Sequence, residues 1–330
     1  MWFYLTQMLP PNGGRPRWQN RAVNGQPLVN DEQARQVVRA FRSDLRVVRT
    51  WPLAGAVSST VTGIVAEGAG GVRRTFVLRQ YGADILKGEP RIADAEYRLL
   101  KLLSAASLPV PRPYLVDESG ATVPGSCLLM EYIDGERVHQ PSDLPSFTRQ
   151  LVAALAAVHD CGIARADVPF LPDAADHVLD DLRTRQQALA GAMPATEMRK
   201  ALQAIWPPPQ VSEPVVLHGD YWPGNVLWRD GRLVGVVDWE EAAFGDPLAD
   251  LANIRLELGW HFGSAAMDML TDEYFTLRPA VRAATLPAWD LRTALRACEF
   301  PLETLPLPGE KIAAMRAAHR EFATAAMSRL

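Results

Sequence analysis

The spacing of apolar residues changes character along the chain. Asn30-Asp31-Glu32 begins a predicted helix that runs to Phe41, with Val37, Val38 and Phe41 on one face. Residues 45–50, 61–66 and 75–81 then read as strands, with Gly68, Gly70 and Gly71 turning the chain between the second and third. Helical spacing returns over residues 91–105, where Ala95, Leu99 and Leu102 face one way, and Val110-Pro111-Arg112-Pro113 breaks it. Residues 114–116 and 127–132 read as two more strands. The first part of the chain therefore predicts five strands, with one helix inserted after the third.

Beyond Ile133-Asp134-Gly135, read as a hinge, the spacing is mostly helical. Leu151, Leu155 and Val158 stripe a helix over residues 147–159, and Gly162 is its predicted stop. Further helices are predicted near 174–190, 195–205, 247–258, 264–277, 288–299 and 310–328. A compact β patch interrupts them at 215–217, 226–228 and 233–237, with Asp230-Gly231 as a hairpin turn. This is an α+β pattern: a small antiparallel β lobe over 21–132, a larger mainly helical lobe over 133–330, and an extension at 1–20.

Composition narrows the function classes. The chain has 330 residues, is 48% hydrophobic and 22% charged, and carries a formal net charge of −4. That is globular usage, and mild acidity disfavours a nucleic-acid partner bound through a basic surface. No apolar run approaches the roughly 18 residues of a spanning helix. The apolar start at Met1 to Leu5 lacks a basic flank and meets Pro10-Pro11 early, unlike a secretory leader. Cys127, Cys161 and Cys298 are scattered, which suits buried thiols in a reducing cytoplasm rather than a disulfide or zinc scaffold.

The chemistry concentrates in residues 218–225, His-Gly-Asp-Tyr-Trp-Pro-Gly-Asn. A strand delivers His218, a tight loop presents Asp220 and Asn225, and the following hairpin returns Asp238 beside them. Two carboxylates and an amide are expected to converge at one end of a small sheet. An amide and a carboxylate oxygen suit Mg²⁺, which keeps waters and takes phosphate oxygens as further ligands. Asp220 is then left to accept a hydroxyl proton, and these are the parts that phosphoryl transfer needs. Asp220 alone fits a polar turn equally well; the spaced set points to the chemistry.

His218-Gly-Asp-x-x-x-x-Asn225, Val237-Asp238-Trp239-Glu240 and Gly245-Asp246-Pro247-x-x-Asp250-Leu251 together resemble the aminoglycoside phosphotransferase family. That family is related in fold to protein kinases and includes choline, homoserine and macrolide kinases. The resemblance implies a two-lobed protein-kinase-like fold and a transferase using ATP or GTP with Mg²⁺. It implies Asp220 as catalytic base or hydroxyl-orienting group, Asn225 and Asp238 as Mg²⁺ ligands, His218 as the residue holding the catalytic loop, and Asp250 as a tie to the loop backbone. Asp246 reads as a helix cap before Pro247. Glu240 suits a metal, a substrate or a packing role.

In the small lobe the resemblance assigns residues 53–63 to a phosphate-covering loop, with Ser58, Ser59 and backbone N–H groups as phosphate donors. It places Arg79 against the α- and β-phosphates where most kinases have Lys, and pairs it with Glu96. Leu129-Met130-Glu131-Tyr132 matches the hinge strand, whose backbone takes the base edge; Glu131 and Tyr132 are the named positions. Gly219 stands where protein kinases have Arg, and Trp239-Glu240 follows Asp238 in place of Phe-Gly. Only eleven residues separate Asp238 from Asp250, too few for a long activation loop and peptide platform, so a small hydroxyl-bearing acceptor is expected. Glu299, Glu303 and Glu310 could meet an amine-bearing acceptor or be a solvated face; Trp260, His261 and Phe262 could line its pocket or be core. A catalytically silent nucleotide-binding module is the alternative, disfavoured by the intact Asp220, Asn225 and Asp238 set. Oligomeric state is left open.

Overall fold

The computed structural model describes residues 29–53, 59–184, 195–298, 302 and 308–330, and every count below refers to those. The expected extension, Ser58, Glu299 and Glu303 lie outside them. Contacts group the chain into two compact units that meet in sequence at Asp134 and Gly135.

The first unit is one five-stranded antiparallel sheet with helices. Helix α1 (Asp31–Phe41) opens with a capping box, in which Asn30 accepts from the Gln33 N–H and Gln33 returns the bond. Strands β1 (Arg46–Leu53), β2 (Ser59–Glu67) and β3 (Arg73–Tyr81) meander into helices α2 (Ala83–Gly88) and α3 (Ile92–Ala105). Strands β4 (Pro113–Asp117) and β5 (Cys127–Glu131) complete the order β1-β2-β3-β5-β4. Two helices follow β3 rather than one, because the short α2 carries too few residues to show a period.

The period of two along β2 and β3 divides their residues between faces. Ile64, Ala66, Phe76 and Leu78 face a core built with Ala34, Val37 and Val38 of α1. The opposite face carries Ser59, Gly63, Arg79 and Tyr81. There Trp51 lies flat on Gly63, where a Cβ would come within 2.3 Å of the indole, so only glycine fits.

The second unit is mainly helical: α4 (Leu144–His159), α5 (Ala174–Thr184), α6 (Ala195–Ile205), α7 (Leu248–Phe262), α8 (Ser264–Leu277), α9 (Leu286–Ala297) and α10 (Gly309–Met327). Helix α7 is buried on nearly every side and packs against α8, α9 and α10. Its buried Arg255 forks onto both oxygens of Asp290 on α9, each at 3.1 Å, and also bonds Thr271 on α8. Trp260 is core, buried against His319 of α10, and Glu310 is exposed. No helix among the described residues is long and apolar enough to cross a membrane.

The β patch differs from its sequence expectation. β6 (Val215–Leu217) does not join the hairpin of β7 (Val226–Arg229) and β8 (Arg232–Val236). It pairs instead with β9 (Ala243–Gly245), giving two separate two-stranded ribbons. A three-residue strand such as β9 leaves no alternation to read.

Burial pushes the Asp290 carboxyl above its ordinary value against the pull of Arg255. Arg255→Met leaves that carboxyl buried without its counter-charge, and we expect a loss of about 3–5 kcal/mol at neutral pH. A carboxyl whose folded pKa is raised favours the fold most when protonated, so the loss shrinks as pH falls toward about 4–5. Urea unfolding of both proteins at the two pH values measures this.

Candidate active site

Asp250, in the first turn of α7, is fully buried and is the anchor of the 218–225 loop. Its two oxygens accept the N–H of His218 at 2.7 Å and of Gly219 at 2.8 Å. His159 of α4 adds a third bond at 3.2 Å through Nε2. A carboxylate can only accept, so His159 carries its hydrogen on Nε2, and Nδ1 accepts from the Tyr274 hydroxyl at 2.7 Å. Burial works against the Asp250 charge, but the His159 bond and the backbone donor outweigh it and hold the carboxyl below its ordinary value. Burial also lowers His159, in keeping with a neutral ring.

The same logic sets the His218 ring. Nε2 lies 3.0 Å from the Val237 carbonyl, so it donates, and Nδ1 accepts the Asp220 N–H at 3.3 Å. His218 therefore spans from the loop to the end of the β7–β8 hairpin, with Trp239 packed at 4.5 Å between ring centroids. Gly219 has φ +80°, and a Cβ there would lie 1.9 Å from the Glu241 carbonyl oxygen. The position where protein kinases carry Arg has no room here for any side chain.

Asp220 follows. Its carbonyl accepts from Asn225 Nδ2 at 2.9 Å, and its Oδ2 from the same nitrogen at 3.1 Å. Asn225 is buried, and its nitrogen is committed to Asp220, which leaves Oδ1 as its atom for a cation. Asn225 also accepts the Val237 N–H through its carbonyl at 2.9 Å, which sets Asp238 just beyond it. Asp238 has φ +72°, a left-handed conformation that Asp tolerates better than most residues and that collects at functional sites. Among the described residues no group of three or more His, Cys, Asp or Glu is arranged to hold a metal. The donor set is one carboxylate and one amide oxygen, which fits an ion that takes its other ligands from water and phosphate.

About a third of the Asp220 side-chain surface is open to solvent. Desolvation, and then the Glu241 carboxylate, push its carboxyl above the ordinary value, while Arg296 opposes them. Arg296 on α9 and Arg137 after the hinge were not singled out in the sequence. Arg137 Nε donates to the Gly224 carbonyl at 2.6 Å, and Asp238 favours its charge against burial. Asn253 of α7 donates to the Gly219 carbonyl at 2.8 Å. None of the three has a local signature. Asp246 does cap α7, one residue from the expected register: Oδ1 accepts the Leu248 N–H, and Oδ2 accepts from Thr285 and Trp289. Glu240 is half-buried beside Trp239.

In the first unit Arg79 NH1 meets Glu96 at 3.2 and 3.4 Å, and both side chains are almost fully buried. Tyr81 donates to the same carboxylate at 2.5 Å, and Arg79 Nε donates to Ser59 Oγ at 3.1 Å. Ser59 lies in β2 rather than in the expected loop, and its oxygen is engaged by Arg79. The backbone N–H groups of Glu131 and Tyr132 are also spent, on the carbonyls of Arg112 at 2.8 Å and Thr75 at 3.4 Å. A base edge that needs an N–H must take it from another hinge position.

Gly219→Ala and Gly231→Ala each force a left-handed alanine, at about 1–2 kcal/mol. Around Gly231 nothing lies within 4 Å, whereas at Gly219 the collision with Glu241 adds to that cost. Thermal unfolding is therefore expected to show a clearly larger drop for Gly219→Ala.

Residues 52–290 match the model of the phosphotransferase enzyme family, APH. Acyl-CoA dehydrogenase family member 11 of Rattus norvegicus is 25% identical over 239 residues, covering 68% of this chain and 30% of that protein. Viomycin phosphotransferase of Streptomyces vinaceus is 31% identical over 199 residues, covering 56% of this chain and 67% of that protein. The chain spans less than a third of the length of the dehydrogenase-family relatives. Among solved structures, choline kinase LicA of Streptococcus pneumoniae superposes with TM-score 0.60 at 17% identity over 88% of this chain and 98% of that one. A thermostable mutant of aminoglycoside phosphotransferase APH(4)-Ia, in ternary complex with ADP and hygromycin B, gives 0.59 at 18% over 90% and 96%. The fold is the kinase-like α+β fold of these proteins, and the chain belongs to the phosphotransferase enzyme family.

Proposed function

We propose that this chain transfers the γ-phosphoryl group of ATP or GTP to a hydroxyl of a small molecule. The observation that carries this reading is the corner at residues 218–238. There the backbone before Asp220 is tied by Asp250 and Asn253, its carboxylate is partly open and bonded by Asn225, and Val237, the residue before Asp238, bonds the Asn225 carbonyl. Asp220 orients the acceptor hydroxyl and takes its proton as the oxygen attacks the γ-phosphorus. The bond to the bridging oxygen breaks, and the nucleoside diphosphate leaves. Asn225 Oδ1 and the Asp238 carboxylate would hold Mg²⁺, which when bound neutralises charge on the phosphates. His218 and Asp250 keep the loop in place, Arg79 steadied by Glu96 supplies a phosphate-binding cation, and Ser58 and Ser59 are the phosphate donors that the family resemblance suggests.

The short stretch between Asp238 and Asp250 favours a small acceptor over a protein. Viomycin, hygromycin B and choline, named for relatives, define the hydroxyl-bearing and cationic compounds to screen. The scattered thiols Cys127, Cys161 and Cys298 suit a reducing compartment such as the cytoplasm.

Asp220→Ala is expected to abolish phosphoryl transfer while leaving Mg-nucleotide binding close to that of the parent protein. Asp238→Ala is expected to weaken the metal-dependent part of that binding. Transfer is followed with labelled ATP and GTP, and binding by calorimetry with and without Mg²⁺. Normal turnover by the Asp220 variant would remove it from the role of base. Nucleotide binding without transfer to any acceptor or to water would instead identify a silent binding module.

A further inference from the structure

Outside the 218–225 loop, α9 sends one cation to the candidate base. Arg296 NH2 meets both oxygens of Glu241, at 2.8 and 2.5 Å, and stands 3.6 Å from Asp220 Oδ1. Its NH1 donates to the Gly219 carbonyl at 3.2 Å. That carbonyl also accepts from Asn253, whose own Oδ1 accepts from Thr293, one turn before Arg296 on α9. The backbone that leads into Asp220 is thus held from two directions. Asp250 accepts the N–H groups of His218 and Gly219, and Asn253 and Arg296 donate to the Gly219 carbonyl. Arg296 alone among these touches both that backbone and the Asp220 carboxylate. Glu241 is half-exposed, so its attraction for Arg296 is screened by water. What the pair sets is the direction of the guanidinium fork.

We infer that Arg296 is a positioning residue for Asp220, holding its carboxylate and the Gly219 carbonyl in the orientation from which Asp220 meets an acceptor hydroxyl. This rests on Asp220 being the proton acceptor of the transfer. The guanidinium does it through geometry that a planar fork allows and a point charge does not: one arm on a carbonyl, the other shared by two carboxylates. Without it the Asp220 carboxylate keeps, among the described residues, only the Asn225 hydrogen bond, and gains freedom to rotate about its side-chain torsions. A misplacement near 1 Å at a reacting group costs about a hundredfold in rate. The contact is made to the proposed proton acceptor, so the loss is expected in turnover rather than in nucleotide binding.

The test compares Arg296→Met, Arg296→Lys, Glu241→Gln and Asp220→Ala. Turnover is followed as ADP release from Mg-ATP, with hygromycin B, viomycin, choline or water as acceptor. Arg296→Met is expected to lower kcat about ten- to hundredfold and to leave the KM for Mg-ATP within about twofold. Arg296→Lys recovers part of the loss, and Glu241→Gln gives a smaller loss of the same kind. Arg296→Met turning over like the parent while Asp220→Ala is silent overturns the inference and leaves the function intact. Full turnover by Asp220→Ala overturns the function itself. Crystal structures of the parent and of Arg296→Met decide the point without any acceptor. A changed Asp220 rotamer or Gly219 peptide is expected, and both unchanged overturn the inference.

Discussion

One buried carboxylate organises the second unit. Asp250 is fully buried, and an ionised group in that position is tolerated only where donors surround it. The donors it has are two consecutive backbone N–H groups and one imidazole N–H. Two successive N–H groups can aim at one carboxylate only if the chain turns sharply, and that turn is the left-handed Gly219. The turn throws the Gly219 carbonyl the other way, toward Asn253, and brings Asp220 out to the surface. The rest of the site inherits its geometry from there. His218 reaches the hairpin end, Asn225 reaches back to Asp220, and Asp238 arrives beside Asn225.

Both units also contain a buried arginine paired with a carboxylate: Arg79 with Glu96, and Arg255 with Asp290. Such pairs give little net stability, because desolvation consumes most of the attraction. Their contribution here is directional. Arg79 meets Ser59 on β2 as well as Glu96 on α3, and Glu96 also takes Tyr81, so strand and helix are set against each other. Arg255 joins α7 to α8 and α9, and the same α9 carries Arg296. The angle at which α9 leaves α7 therefore decides whether Arg296 reaches the loop.

What the chain reveals before folding is what lies close together along it. The Asp230-Gly231 turn, the strand before His218 and the helix over Asp31–Phe41 follow from local pattern, whereas the Arg79–Glu96 pair is expected only from the family resemblance. Arg137, Asn253 and Arg296 reach residues 34 to 87 positions away, and no local pattern marks them. β9 escaped because three residues do not make an alternation, and with it went the true partner of β6. Ser59 and the Glu131 and Tyr132 amides are expected from the resemblance to serve the nucleotide. Their hydrogen-bond partners, Arg79 and the carbonyls of Arg112 and Thr75, depend on sheet register that the sequence does not spell out.

The eleven residues between Asp238 and Asp250 are tied at short intervals. Trp239 bonds Val236, residues 243–245 form β9 on β6, and Asp246 receives Leu248, Thr285 and Trp289. Little of this stretch is left to swing out, fold differently or offer a hydroxyl to a modifying enzyme. A site closed in this way is assembled once, when the chain folds. Residues 239–249 contain no Ser, Thr or Tyr, so a phosphate switch has no hydroxyl to attach to within them.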